Sequence, residues 1–387
     1  MNNIFSLPPQ IQHILQTLEQ AGQEAFVVGG CVRDMLLGKQ PGDYDICTSA
    51  LPEETMALFD RCIPTGIAHG TVTVLYEGCA AEVTTFRQES DYSDHRHPDS
   101  VCFTRDIAQD LGRRDFTVNA MAMDLRGTIR DPYEGRKDLS VGILRCVGDP
   151  DKRFREDALR MLRGLRFSAQ LGFSIEENTL RAMERNAPYI EHVAAERVLV
   201  ELTKALLSDR PQVIGDMIQM GLLNRFVRPV ETVELRDIAD LPADRQLRFA
   251  RLMKRLTDCG AVTDTEQTMR ALRMDKATIY AVKTALAMDL PHDIVSMKQL
   301  MSRADDQTVT CVCALGDYNR LHGLRNAILN SKEPYAMSQL AVTGKDLNGL
   351  GIKGTAVGET LRRLLDAVIE RPEMNEKATL LEIANHR

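Results

Sequence analysis

No stretch of this sequence approaches the apolar length of a membrane span, and its start, MNNIFSLPPQIQHILQTLEQ, lacks the basic and apolar segments of a secretory leader. Its nine cysteines are an odd number, none in a CxxC pair; only Cys311 and Cys313 are close, and CxC alone is a poor zinc signal. These absences argue against a secreted disulfide scaffold and predict reduced thiols, packed as small hydrophobes in a cytoplasmic protein. Two common phosphate-binding patterns are also missing. There is no GxGxxG, and Gly344-Lys345 is followed by Asp346 where a P-loop needs Ser or Thr. No tandem repeat or low-complexity tract is present.

What is present is ordinary globular material. The chain has 387 residues, 44% hydrophobic and 27% charged, enough for two to four domains. A net charge of -7 weighs mildly against a nucleic-acid partner. Local charge runs the other way: DKRFREDALRMLRGLR (151–166) holds six Lys/Arg against three Asp/Glu. Phosphate binding follows such local fields rather than the sum.

The hydrophobic pattern predicts an amphipathic helix over 10–20, a buried strand AFVVGG (25–30) ending in a glycine turn, and a helix CVRDMLLG (31–38). DYDICTSA reads as a strand and LPEETMALF as a helix. GTVTVLY (70–76) and AAEVTTF (80–86) form a hairpin about Glu77-Gly78. RQESDYSDHRHPDS (87–100) is expected to be a loop, and RRDFTVNAMAMD (113–124) to begin a helix. Beyond about residue 145 the pattern takes a helical period to the end, with a break at SKEPYAMS (331–338). The expected class is α+β, a small mixed sheet followed by helices.

PGDYDICTSA (41–50) places Asp43 and Asp45 one residue apart. On a strand both would face the same way and repel. A solvated strand end tolerates that; otherwise a divalent cation resolves it, and all-oxygen ligands favour Mg²⁺, which completes its shell with water and substrate phosphates. Gly29-Gly30 is either a tight connection or a phosphate cradle in which backbone N–H groups meet an anion and Arg33 adds charge. The order of glycine turn, helix, DxD strand and later acidic strand position, Glu82, resembles the nucleotidyltransferase superfamily that includes DNA polymerase beta. There the glycine turn holds a triphosphate and a third acid can join the metal site; Glu82 also reads as an outward strand residue.

FREDALRMLRGLRFSAQ (154–170) reads as one helix. At its period Asp157, Arg160, Arg163 and Arg166 share a half-surface opposite Leu159, Leu162 and Leu165. The row serves either as a solvated face with local ion pairs or as a reader of bases. A carboxylate accepts from an amino group and a guanidinium donates to a ring nitrogen. That pair matches the Watson–Crick edges of C and A and mismatches U and G.

Taken together, FVVGGCVRDMLLG, GDYDICTSA, TGIAHGTVTV, EVTTFR, RRDFTVNAMAMD, DPYEGRKDL and FREDALRMLRGLRFSAQLGF resemble class II tRNA nucleotidyltransferases, the bacterial CCA-adding enzymes. The match spans about 25–173 in the family's order. AAERVLVEL (194–202) and LAVTGKDLNGLGIKGTAVGETL (340–361) resemble further segments, with Ala195 where Ser is common. The resemblance implies a polymerase-beta-like head over 1–140, a neck over 141–202, a body over 203–330 and a tRNA-binding tail over 331–387. It implies Asp43 and Asp45 as metal ligands, with Glu82 beside them. Gly29, Gly30, Arg33, Arg114 and Asn119 would bind the nucleotide. Glu156, Asp157 and Arg160 would match the EDxxR base-selecting motif, extended by Arg163 and Arg166. Substrates would be tRNA, CTP and ATP, and the protein a monomer or homodimer. Members that add only CC or only A, and poly(A) polymerases, stay open as alternatives; the long DYSDHRHPDS loop and IPTGIAHGTVTV favour full CCA addition. His69, His95 and His97 read as loop or polar-network residues. No helical HD phosphohydrolase pattern follows, so one activity is expected.

Overall fold

The computed structural model describes residues 7–89 and 100–386, and the chain forms two compact units, Met1–Arg225 and Phe226–Arg387. The α+β class expected from the sequence is the one observed. In the first unit the order is α1 (Pro9–Gln20), β1 (Ala25–Val28), α2 (Gly30–Leu36), β2 (Asp45–Thr48), α3 (Pro52–Leu58), β3 (Cys62–Gly66), β4 (Thr71–Tyr76), β5 (Cys79–Thr85), β6 (Arg87–Glu89), β7 (Val101–Phe103), α4 (Ile107–Gly112), β8 (Ala122–Met123), β9 (Ile129–Arg130), α5 (Gly135–Val141), β10 (Ile143–Leu144), α6 (Pro150–Glu156), α7 (Leu159–Leu171), β11 (Ser174–Ile175), α8 (Glu177–Asn186), α9 (Ala195–Leu206) and α10 (Val213–Gln219).

Seven strands make one mixed sheet in the order β3-β4-β5-β2-β1-β8-β9, with β2 and β5 parallel and the other neighbours antiparallel. Strand alternation divides β1 between two cores. Ala25 and Val27 face α1, whose Ile11, Ile14, Leu15 and Leu18 are buried, while Phe26 and Val28 pack with Cys47, Phe86, Leu111 and Val147. A strand buried on both faces explains the continuous apolar run AFVV. Glu77 and Gly78 both have positive φ, +43° and +78°, the backbone a two-residue hairpin of matching twist requires.

Four expectations are corrected. Asp43 is not on a strand: β2 begins at Asp45, and Asp43 lies in the connection before it. RRDFTVNAMAMD does not begin a helix. It forms a 3-10 turn at Thr117–Asn119 and then β8, whose Met123 pairs with Val27. Ala120–Met123 is buried throughout, and its backbone is more useful as a sheet strand beside β1. The segment 154–170 is two helices, broken at Asp157, which takes an extended backbone with φ -148° and ψ 100°. The start of the expected 87–100 loop forms β6, which pairs with β7 just beyond its end. The intervening DYSDHRHPD stretch, with His95 and His97, lies outside the described residues. In addition, the region expected to be wholly helical contains β11, which pairs in parallel with β10.

The second unit contains α11 (Arg245–Asp258), α12 (Thr265–Ala271), α13 (Lys276–Leu286), α14 (Ile294–Arg303), α15 (Asp306–Leu315), α16 (Tyr318–Ser331), α17 (Gly344–Gly349), α18 (Thr355–Glu370) and α19 (Lys377–Asn385). From α11 to α16 each helix begins on an aspartate, Asp244, Asp264, Asp275, Asp293, Asp305 and Asp317, whose carboxylate accepts a first-turn N–H. Such caps are worth about 1 kcal/mol each. The break expected at 331–338 separates α16 from α17. Around it Leu340, Val342, Leu347, Leu364, Leu365, Val368 and Leu380 form a core of their own.

Candidate active site

The sheet register sets the acidic residues beside the glycine turn. Val28, the last residue of β1, is opposite Asp45, and Gly29 and Gly30 follow at once. Ile46 pairs with Val83 across the parallel β2–β5 border, so Asp45 and Glu82, each one residue earlier, stand abreast. Parallel neighbours in register present the same face. Asp43, Asp45 and Glu82 are all exposed. The Asp45 carboxyl is pushed above the usual range, first by desolvation; Arg114 opposes this, and the charges of Asp43 and Glu82 push it further. A carboxyl crowded by two further acids fits a divalent cation. Among the described residues no group of three or more His, Cys, Asp or Glu is placed to hold a metal ion by itself. An open, all-oxygen set suits an ion that keeps water and phosphate ligands.

The glycine turn is shaped by necessity. Gly29 has φ +84°, and a Cβ on it would stand 2.9 Å from Arg114 Nη1. Arg114 therefore lies over the turn. Its Nε is a buried donor with no hydrogen-bond partner, and its Nη2 is 3.7 Å from Asp110 Oδ2, itself buried without a hydrogen bond. Arg33, one turn into α2, donates from Nη1 to Asn119 Oδ1 at 2.7 Å and pairs with Asp34 at 2.8 Å. Asn119 Nδ2 donates to Asp115 Oδ1 at 3.2 Å. Two arginines thus flank a tight turn at the start of a helix, an arrangement suited to phosphate oxygens.

The EDxxR residues lie at the α6–α7 break. Glu156 accepts from Arg160 Nη1 at 2.6 Å and also pairs with Arg153. Arg160 Nη1 and Nη2 donate to the carbonyls of Arg153 and Arg113 at 2.9 and 3.1 Å. Asp157 Oδ1 accepts from Leu159 N at 3.1 Å, capping α7, and Arg197 grips both its oxygens at 3.2 and 2.8 Å. Arg163 Nε donates to Asp115 Oδ2 at 2.8 Å, and Arg166 pairs with Glu201. Burial would raise the Asp115 carboxyl, but Arg163, then the Asn119 hydrogen bond and Arg160, hold it at about 2. The arginine row is thus not a solvated face. Arg160 and Arg166 are buried, and Arg163 is about one-third exposed, each against a carboxylate.

Sequence reasoning passed over Asp115, Phe167, Arg197 and Glu201. The signal for two of them was available: Arg197 and Glu201 are spaced i,i+4 in AAERVLVEL, so one face of α9 offers a cation to Asp157 and an anion to Arg166. Asp115 stood inside a motif already singled out.

The chain matches two family models, one described as the poly A polymerase head domain over residues 25–145 and one as a probable RNA and SrmB-binding site of polymerase A over 172–231. It is 39% identical to a CCA-adding enzyme of Levilactobacillus brevis and 38% identical to one of Geobacillus kaustophilus. These alignments cover 95% and 96% of this chain, and 95% of each relative. In three dimensions it is similar to a Bacillus stearothermophilus CCA-adding enzyme solved in complex with CTP, with a TM-score of 0.81, 34% identity, and coverage of 98% of this chain and 99% of that one.

Proposed function

The chain belongs to the family of CCA-adding enzymes, and from that premise we propose that it adds C, C and A in turn to the 3′ end of tRNA, using CTP and ATP without a nucleic-acid template. The observation that carries this reading is the juxtaposition in one compact unit of the Asp43, Asp45 and Glu82 carboxylates, the Gly29-Gly30 turn with Arg33 and Arg114, and the Glu156–Asp157–Arg160 cluster. The enzyme works in the cytoplasm on tRNA.

Each group has a task that its chemistry suits. Mg²⁺ held by Asp43 and Asp45, with Glu82 as a third acid, would supply activation of the attacking 3′ hydroxyl and stabilisation of the leaving pyrophosphate. Gly29 and Gly30 let the triphosphate approach the backbone, and Arg33 and Arg114 neutralise it. Asn119 fixes the Arg33 guanidinium. Asp157 accepts from the amino group of C or A, and Arg160 donates to the adjacent ring nitrogen. Glu156 sets the direction of Arg160, and Arg163 and Arg166 extend the positive wall behind it. U and G present the reverse donor and acceptor order, and the mismatch of a buried polar group rejects them.

Stepwise extension of an unmodified tRNA lacking CCA tests the reading. CTP alone should add two C residues, and ATP should then add one A. Failure to add A marks a CC-adding enzyme; long A tracts on other RNAs mark a poly(A) polymerase. Asp45→Asn should lower incorporation at least about a hundredfold, as loss of a group acting on the transition state does.

A further inference from the structure

Three guanidinium groups converge on one aromatic ring. The Cζ atoms of Arg33, Arg163 and Arg166 lie 5.3, 5.2 and 3.9 Å from the centroid of Phe167, which is 7% exposed. The edge-to-face neighbour Phe116, at 6.0 Å, completes the ring's surroundings. Around this hub the polar contacts close into a loop. Arg33 donates to Asn119, Asn119 to Asp115, and Arg163 to Asp115. Arg163 Nη1 is 3.8 Å from Glu201 Oε1, and Glu201 also pairs with Arg166. Arg166 and Arg33 both return to the ring. The loop draws on α2, the Asp115–Asn119 segment, α7 and α9, so it ties an arginine of the glycine turn to the helix that follows Asp157.

A position that required only apolar bulk would not collect three cations. The electron-rich face of an aromatic ring attracts a guanidinium, by about 0.5–2 kcal/mol depending on desolvation. An aliphatic side chain of equal size fills the space and leaves the cations to repel. We infer that Phe167 is a positioning residue for the nucleotide, and that its π face holds Arg33 in the orientation that receives the triphosphate. Phe167 acts through Arg33 and does not select the base, so its influence is equal for CTP and ATP. The inference rests on the proposed nucleotidyl transfer for its role, but its geometry is independent of which nucleotides are added.

The test compares Phe167→Leu, Phe167→Met and Phe167→Tyr in the full chain, each checked by thermal melting. Leu and Met keep apolar bulk; Tyr keeps the π face. Phe167→Leu and Phe167→Met should raise KM for CTP and ATP alike by about tenfold, which corresponds to about 1.4 kcal/mol. Their kcat and tRNA KM should stay within about twofold, and Phe167→Tyr should match the wild type within that margin. In an Arg33→Met background, Phe167→Leu should add nothing further. Calorimetric titration with CTP repeats the comparison without turnover. A wild-type chain that binds CTP but adds no nucleotide would overturn the proposed activity while leaving this comparison intact. Phe167→Tyr failing as badly as Phe167→Leu, wild-type behaviour of Phe167→Leu, or effects of Phe167→Leu and Arg33→Met that multiply would overturn the inference.

Discussion

At the scale of residues, the site is organised by buried charge. Asp115 is the clearest case. Its carboxyl, 8% exposed, receives Arg163 on one oxygen and Asn119 and the Phe116 amide on the other. Burial alone would raise its pKa, and these partners bring it to about 2. A carboxyl depressed in the folded state adds stability above its unfolded pKa, and that stability disappears as pH falls through the folded value. The window is therefore about pH 4 down to about 2, and the contribution about 2 kcal/mol. Thermal melts at intervals across that window should show the wild type losing this increment. Asp115→Asn, already less stable near neutrality because Arg163 loses its counter-charge, should show a flatter profile; identical pH slopes would refute the account. The placement of Asp45 and Glu82 near a glycine turn was legible in the sequence because neighbouring strands carry them, whereas Asp43 lies in the connection before β2. Asp115 and Phe167 were not, because Arg163 reaches Asp115, and Arg33 and Phe116 reach Phe167, from segments far along the chain, meetings no local period encodes.

At the scale of elements, one break sets the geometry of the Glu156–Asp157–Arg160 cluster. A helical period runs unbroken through FREDALRMLRGLR, and propensity gives no reason to stop at Asp157. The structure stops there because Asp157 serves twice: its side chain caps α7 through Leu159 N, and Arg197 of α9 grips the same carboxylate. Tertiary pairing overrides periodicity, as it also does for β8, where pairing with β1 overrides the helix expected over 113–124. Elements fixed by local rules were legible: the hairpin at Glu77-Gly78, the α1 face of Ile11, Ile14, Leu15 and Leu18, and the stop at Gly38, where φ is +70°. The break makes a prediction. Asp157→Ala removes the cap and strands Arg197, and should destabilise by about 2–3 kcal/mol. Asp157→Asn keeps an acceptor for Leu159 N and should lose about half as much. Adding Arg197→Met to Asp157→Ala should change little, because the two residues share one interaction. Urea melts of the wild type, Asp157→Ala, Arg197→Met and the double variant measure the coupling, and simple additivity would show that the grip contributes nothing.

At the scale of the whole molecule, the net charge of -7 misleads because it counts acids already committed to structure. Residues 226–387 hold 23 Lys/Arg and 22 Asp/Glu, a balance of +1, which leaves 25 against 33, or -8, for residues 1–225. In the second unit six of those acids cap α11 to α16, so their charge is neutralised locally by helix N-termini. Composition gives no mark at Arg225–Phe226, where the units part, because one helical texture runs across it. Near the C-terminus the cations have a different status. Lys345, Lys353 and Arg362 are exposed and make no ion pair among the described residues, whereas Lys377 pairs with Asp346 at 2.5 Å. Unspent cations around α17 and α18 are where a polyanionic backbone gains most, since each neutralised phosphate releases condensed counterions. The logarithm of KM for tRNA should therefore rise linearly with the logarithm of salt concentration, by about 0.7–0.9 per phosphate contacted. Replacing Lys353 or Arg362 with Gln should lower that slope by about one and raise tRNA KM at low salt, while KM for CTP stays unchanged. Lys377→Gln, which removes a charge already paired, should leave the slope where it was. An unchanged slope in all three variants would place tRNA recognition elsewhere on the protein.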